Sequence, residues 1–192
     1  MNKNVVILAL LAVCLWPGHT FGAGAEDYRK AAEQGNADAQ KNLGNCYLKG
    51  DGVAKDPVEA VKWYRKAAAQ KYARAQNNLG NCYFDGKGVA QDAGEAVKLF
   101  RKAAEQGHAS AQFRLGECYA NGAGIAKDKV EATKWYVKAA EQGSPAAQLN
   151  LGICYYNGNG VAQDKAEAVK WVEKAAAQGN KDAQAALEKL KL

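Results

Sequence analysis

Serine and histidine are nearly absent from this 192-residue chain, which holds only Ser110, Ser144, His19 and His108. Neither serine has a lysine three positions on, so the Ser-x-x-Lys nucleophile of β-lactam-active enzymes has no place here. Histidine is too scarce, and too far in sequence from other ligands, to build a zinc site of three or four convergent side chains. His108 and Cys118 would lie about 15 Å apart along a helix, too far for a catalytic pair. A long apolar run occurs once, from Val5 to Trp16, and no strand-like alternation is found. Neither charge dominates: 26 basic and 20 acidic side chains leave +6, too mild a balance to mark a nucleic-acid binder. The 48% hydrophobic and 24% charged content is that of a soluble globular protein.

The apolar run fits an export signal. Lys3 precedes it, Pro17-Gly18 breaks it, and Ala23-Gly24-Ala25 supplies the small residues that signal peptidase requires. Its 12 residues fall short of the ~20 needed to span a bilayer. Residues 1–25 are read as a signal cleaved after Ala25, with the mature chain starting at Glu26, carrying +5 and bound through the Sec route for the periplasm or the exterior. Leu11-Ala12-Val13-Cys14 approximates a lipoprotein box, which Val13 disfavours because a small residue normally precedes the lipidated cysteine. No other segment is apolar enough to be a transmembrane helix.

The rest of the chain repeats every 36 residues. Ala-Ala recurs at Ala31, Ala67, Ala103, Ala139 and Ala175, and glutamine at Gln40, Gln76, Gln112, Gln148 and Gln184. Leu-Gly-x-Cys-Tyr recurs from Leu43, Leu79, Leu115 and Leu151. One unit reads as two helices. In the first, Ala37 to about Lys49, the residues Ala39, Leu43, Cys46 and Tyr47 share a face, and Gly50 stops it. In the second, Asp56-Pro57-Val58-Glu59 forms a capping box, repeated by Asp92 with Glu95, Asp128 with Glu131 and Asp164 with Glu167. Ala60, Val61, Tyr64, Ala67 and Ala68 make its buried stripe. A left-handed glycine is expected to end these helices, except at Lys71, which would cost about 1 kcal/mol. Glycine at the middle of each first helix, as at Gly116, needs a close neighbour to justify it. One helix pair cannot bury its own apolar face, so the units should stack as a solenoid.

The string AAEQGNADAQKNLGNCYLKGDGVAKDPVEAVKWYRKA and its three successors resemble the Sel1-like repeat, a relative of the tetratricopeptide repeat. The resemblance implies an all-α, right-handed α-α superhelix serving as an adaptor or scaffold for other proteins. The division is then a partial repeat at 26–36, repeats at 37–72, 73–108, 109–144 and 145–180, and a capping helix at 181–192. In that last segment Leu187 keeps the register while Glu188 replaces the glycine. Leu99-Phe100 and Trp171-Val172 depart from the Trp-Tyr pair of the other units. Some exported relatives staple each unit with a cysteine pair; here the second cysteine is missing.

Cys46, Cys82, Cys118 and Cys154 are therefore read as buried thiols, with intermolecular bridging or redox sensing as the alternatives. Neighbouring helices pack about 8–10 Å apart and a disulfide tolerates about 7 Å between Cα atoms, so equivalent cysteines should not bridge. The Gly-x-Gly strings, such as Gly86-Lys87-Gly88, lack the strand and third glycine of a dinucleotide loop and are turns. Lys62, Lys98, Lys134 and Lys170 follow a glutamate by three residues and read as a salt-bridged solvent face. His108 stands where a helix cap is expected.

Positions 38, 41, 45, 48 and 49 of the first helix, and their equivalents, lie opposite the core stripe and by analogy line a concave surface. Later units place Phe84, Phe113, Leu149, Ile153 and Tyr156 there, framed by Arg74, Asn77, Asn81, Asp85, Glu117 and Asn157. Two readings remain open: a groove for a peptide or partner helix, or burial of these side chains between units. The expected function is an exported protein-interaction scaffold binding a protein or peptide on this face, with a monomer as the expected state. No cofactor, metal, nucleic acid, catalytic residue or membrane span is expected. A cell-wall or β-lactam enzyme and a secreted effector that binds host proteins are the alternatives.

Overall fold

The computed structural model describes residues 24–190, and side chains as far as 188; the expected signal segment up to residue 23, the Cys14 box and the final residues 191–192 lie outside it. Among the described residues there are ten helices and no strands: α1 (Gly24–Glu33), α2 (Ala37–Lys49), α3 (Pro57–Ala69), α4 (Ala73–Asp85), α5 (Ala93–Glu105), α6 (Ala109–Asn121), α7 (Lys129–Glu141), α8 (Pro145–Asn157), α9 (Lys165–Ala177) and α10 (Lys181–Leu190). Each packs mainly on its neighbours in sequence, which is the α-α solenoid that the period implies. Among the described residues no helix is long and apolar enough to cross a membrane.

Within a unit, the close approach of its two helices rests on a missing side chain. A Cβ on Gly116 of α6 would lie 2.7 Å from the Tyr136 ring and 3.2 Å from the Ala132 carbonyl, both on α7. The mid-helix glycine thus makes room for the bulky residue of the second helix. Between units, the apolar stripe of one second helix meets the next first helix: Val97, Phe100 and Ala104 pack with Ala111, Leu115 and Cys118. At the C-terminal end α10 covers α9, with Ala183 buried and Leu187 half-buried against Val172. At the other end α1 starts at Gly24, and Ala25 is buried beside Leu43 and Cys46.

The turns are fixed by the caps read from sequence, with one correction. Asp56, Asp92, Asp128 and Asp164 each accept from the N–H of the glutamate three residues on, at 2.9–3.0 Å. The glutamates do not reach back. Each aspartate N–H instead donates to a tyrosine carbonyl of the preceding helix, as Asp128 to Tyr119 at 2.9 Å. That frees Glu59, Glu95, Glu131 and Glu167 to pair with Lys62, Lys98, Lys134 and Lys170 at 2.7–3.1 Å. Lys71 does hold φ at +61°, the one left-handed non-glycine among the described residues.

The turn glycine with the tightest requirement is the second of Gly-x-Gly. Gly124 has φ +72°, and a Cβ there would sit 2.2 Å from the carbonyl oxygen of Ala93 at the start of α5. The loop of one unit thereby rests on the N-terminus of the previous unit's second helix and sets the spacing of the stack.

Candidate functional site

The first helices of successive units line one face, and the second helices reach between them to form its floor. Tyr64 of α3 donates its hydroxyl to Asn45 Oδ1 on α2 at 2.7 Å, and Asn78 of α4 donates to the same oxygen at 3.1 Å. This three-helix junction floors a cleft of about 260 Å³ edged by Leu48, Asn81, Asp85 and Arg114. Two units on, a cleft of about 390 Å³ lies between α6 and α8, floored by Ala132 and Tyr136 and edged by Ala120, Lys127, Lys129 and Ile153. Burial pushes the Tyr64 and Tyr136 hydroxyls above the ordinary phenol range, so both stay protonated donors.

The residues singled out from sequence divide. Ile153 and Tyr156 are exposed, at 45% and 38%, and Lys165 stands 5.5 Å over the Tyr156 ring. Arg74, Asp85 and Asn157 are also exposed, while Asn81 and Glu117 are half-buried. Phe84, Phe113 and Leu149 are only half-exposed, because the floor residues rise to meet them. Phe84 packs on Phe100 with centroids 6.4 Å apart, Phe113 on Tyr136 at 6.0 Å, and Leu149 on the Val172 cluster. Each thus meets the second helix of its own unit, within clusters that also hold residues of the next unit. Asn77 is buried, its Oδ1 without a partner among the described residues. Arg114, absent from that set, pairs with Glu117 at 3.1 Å and edges the first cleft.

Of the lining of the larger cleft, sequence reasoning singled out Ile153 and passed over the rest. A signal was present: Ala120 occupies the position held by Leu48, Phe84 and Tyr156, so a gap in the wall was legible as one small residue in a column of large ones. Lys66, Lys138 and Lys174 stack 3.9–4.1 Å over the rings of Trp63, Trp135 and Trp171.

The thiols have no nucleophilic setting. Cys46, Cys82, Cys118 and Cys154 are buried and unbridged, and desolvation pushes Cys82 and Cys118 up to about 11 and raises the other two. His108 caps α6, its Nδ1 accepting from the Ala111 N–H at 3.2 Å. Among the described residues no group of three or more metal-ligating side chains converges.

Comparison with known proteins places this geometry in context. The Sel1 repeat model matches residues 28–36, 37–72, 73–108, 109–144 and 145–180. Among solved structures, a protective antigen of uropathogenic Escherichia coli displaying an SLR fold is 41% identical, with a TM-score of 0.81 over 84% of this chain and 35% of its own. A Sel1 repeat protein from Oxalobacter formigenes is 42% identical, with a TM-score of 0.79 over 85% of this chain and 65% of its own. Helicobacter pylori cysteine rich protein B is 28% identical, with a TM-score of 0.56 over 69% and 96%. This chain therefore spans about a third and just under two thirds of the length of the first two. Among curated proteins no match is found.

Proposed function

We propose, because this chain belongs to the Sel1 repeat family, whose repeats mediate protein interactions, that it holds an extended segment of a partner protein on the face lined by α2, α4, α6 and α8. The observation that carries the proposal is the pair of clefts on this face, between α2 and α4 and between α6 and α8, with Ile153 and Tyr156 exposed beside the larger one. A helix-lined groove of this kind offers apolar pockets within a polar rim, which is how protein interfaces concentrate affinity. Binding rather than catalysis is the role we assign, since the thiols are desolvated and the lone histidine of the described residues is spent on a cap. Export belongs to the same proposal and rests on the residue pattern of the N-terminal 25 residues.

The test is to replace Ile153 and Tyr156 together by serine. Both are exposed, so the melting curve should stay close to that of the parent protein. Partners cross-linked to the parent in its native cell should be lost from the double variant. Retention of every cross-linked partner by a folded double variant would place the binding surface elsewhere.

A further inference from the structure

The cleft between α6 and α8 combines three departures from the repeat, at Ala120, Thr133 and Ile153, with two lysines at its rim. Ala120 stands where the other units carry Leu48, Phe84 and Tyr156, which removes one wall. Lys127 at the rim stands, like Lys55, where the other two units carry a glutamine that donates to a helix-end carbonyl, Gln91 to Phe84 at 2.8 Å and Gln163 to Tyr156 at 2.7 Å. Lys129 stands in the column of Pro57, Ala93 and Lys165, and Ile153 replaces Asn45, Asn81 and Glu117. Thr133, in the column of Val61, Val97 and Val169, donates to the Asn159 carbonyl at 2.8 Å and fixes the loop that bounds the cleft. The repeat tolerates other residues at each position, so stacking alone does not require this set.

The lining of the cleft is chemically consistent. An apolar recess between Ala120, Ala132 and Ile153 opens beside two ammonium groups. Neither Lys127 nor Lys129 has an ion-pair partner among the described residues. Lys129 donates one N–H to Asn159 Oδ1 at 2.9 Å, and an ammonium carries two more. The nearby carboxylate of Glu117 is held by Arg114 at 3.1 Å. In the smaller cleft the charges are matched instead, Lys87 pairing with Asp85 at 2.7 Å.

Resting on the groove reading above, we infer that the α6–α8 cleft recognises an extended partner segment that seats an apolar side chain against Ala120 and Ile153 and an acidic side chain on Lys127 and Lys129. The apolar group fills the recess that Phe84 fills in the preceding unit. The carboxylate, at the rim, gains charge-assisted hydrogen bonds that are partly shielded from water.

The test uses fluorescent peptides, acetylated and amidated so that no terminal charge competes, each carrying a phenylalanine or leucine at a varied distance from a glutamate. Matched peptides carry glutamine in place of glutamate. They are titrated into the parent protein and into Ala120→Phe, Lys127→Gln and Lys129→Ala, residues that the repeat itself places at the equivalent positions, so the variants should fold. Glutamate peptides should bind more tightly than their glutamine partners, with Ala120→Phe weakening them by about tenfold or more, the worth of one filled anchor pocket. Each lysine variant should weaken them several-fold and reduce the dependence on salt. Equal binding of glutamate and glutamine peptides, unchanged affinity in Ala120→Phe, or no binding across the set would overturn the inference. A concentration-dependent dimer abolished by Ala120→Phe would overturn it in favour of a second copy of this chain. Amide shift mapping separates this failure from that of the groove reading: peptide shifts confined to α2 and α4 contradict the cleft alone, and shifts confined to α3 and α5 contradict both.

Discussion

Gln142 donates a side-chain N–H to Oε1 of Gln112 at 2.6 Å, and Gln112 donates its own to the Ala104 carbonyl at 3.2 Å. One buried amide thus ties the end of α5, the start of α6 and the end of α7. The same link recurs as Gln70 to Gln40, Gln106 to Gln76 and Gln178 to Gln148 at 2.7–2.9 Å. Gln112→Leu removes both links at once, although the Ala104 carbonyl keeps the Gly107 N–H at 2.9 Å, and should cost about 1–3 kcal/mol, whereas Gln142→Ala, at the exposed end, should cost under about 1 kcal/mol. Urea unfolding of the two variants checks the order; equal losses would show that the ladder adds no stability.

The turn glycines should be unequal. Gly107→Ala meets no atom within 4 Å and bears only its positive φ, a cost of about 1–2 kcal/mol. Gly124→Ala adds a collision with the Ala93 backbone and should cost several kcal/mol, in the upper tail for single substitutions. Lys71→Gly should stabilise the fold by about 1 kcal/mol by removing left-handed strain. Thermal melts of the three variants test this ranking.

Acid should act through His108. Burial first, then the charge of Arg74, holds its imidazole below the usual 6.5, and protonation would abolish the acceptor that caps α6. Below about pH 6.5 the unfolded chain takes up a proton that the folded chain resists, so stability falls with acidification and the contribution is fully present above that pH. His108→Asn, copying Asn36 and Asn180, should flatten the stability profile between pH 6.5 and 5. An unchanged profile would assign the acid sensitivity to other groups.

The cysteines reverse the sign. Raised folded values mean that the unfolded chain releases its thiol protons first, so stability is lost as pH rises from about 9 towards 11 at Cys82 and Cys118. Below that range a thiol reagent should modify the native protein only as fast as it opens, and all four sites should react at once in denaturant. Immediate native labelling of Cys118 would contradict its burial.

Much of this architecture was legible because the repeat registers each residue several times. The span Ala37–Lys49, the aspartate caps and the close approach at Gly116 follow from periodicity and from the cost of glycine in a helix. The glutamate half of the capping box was misread, because the tyrosine carbonyl that takes the aspartate N–H comes from a loop closure with no sequence pattern of its own. The groove was legible only in outline. Helical geometry places Phe113 and Leu149 on the same face as Ile153, but their exposure depends on how high Tyr136 and Val172 rise from the neighbouring helix. The larger cleft arises from an absence, Ala120, which carries meaning only when set beside Leu48, Phe84 and Tyr156.

The central claim is that partners dock on the face of the first helices. A photo-activated amino acid at Ile153, compared in the native cell with one at Lys98 on the salt-bridged outer face, tests it most directly. The account predicts a discrete cross-linked protein from position 153 that is absent from position 98. Cross-linking from position 98 with none from position 153 would contradict it.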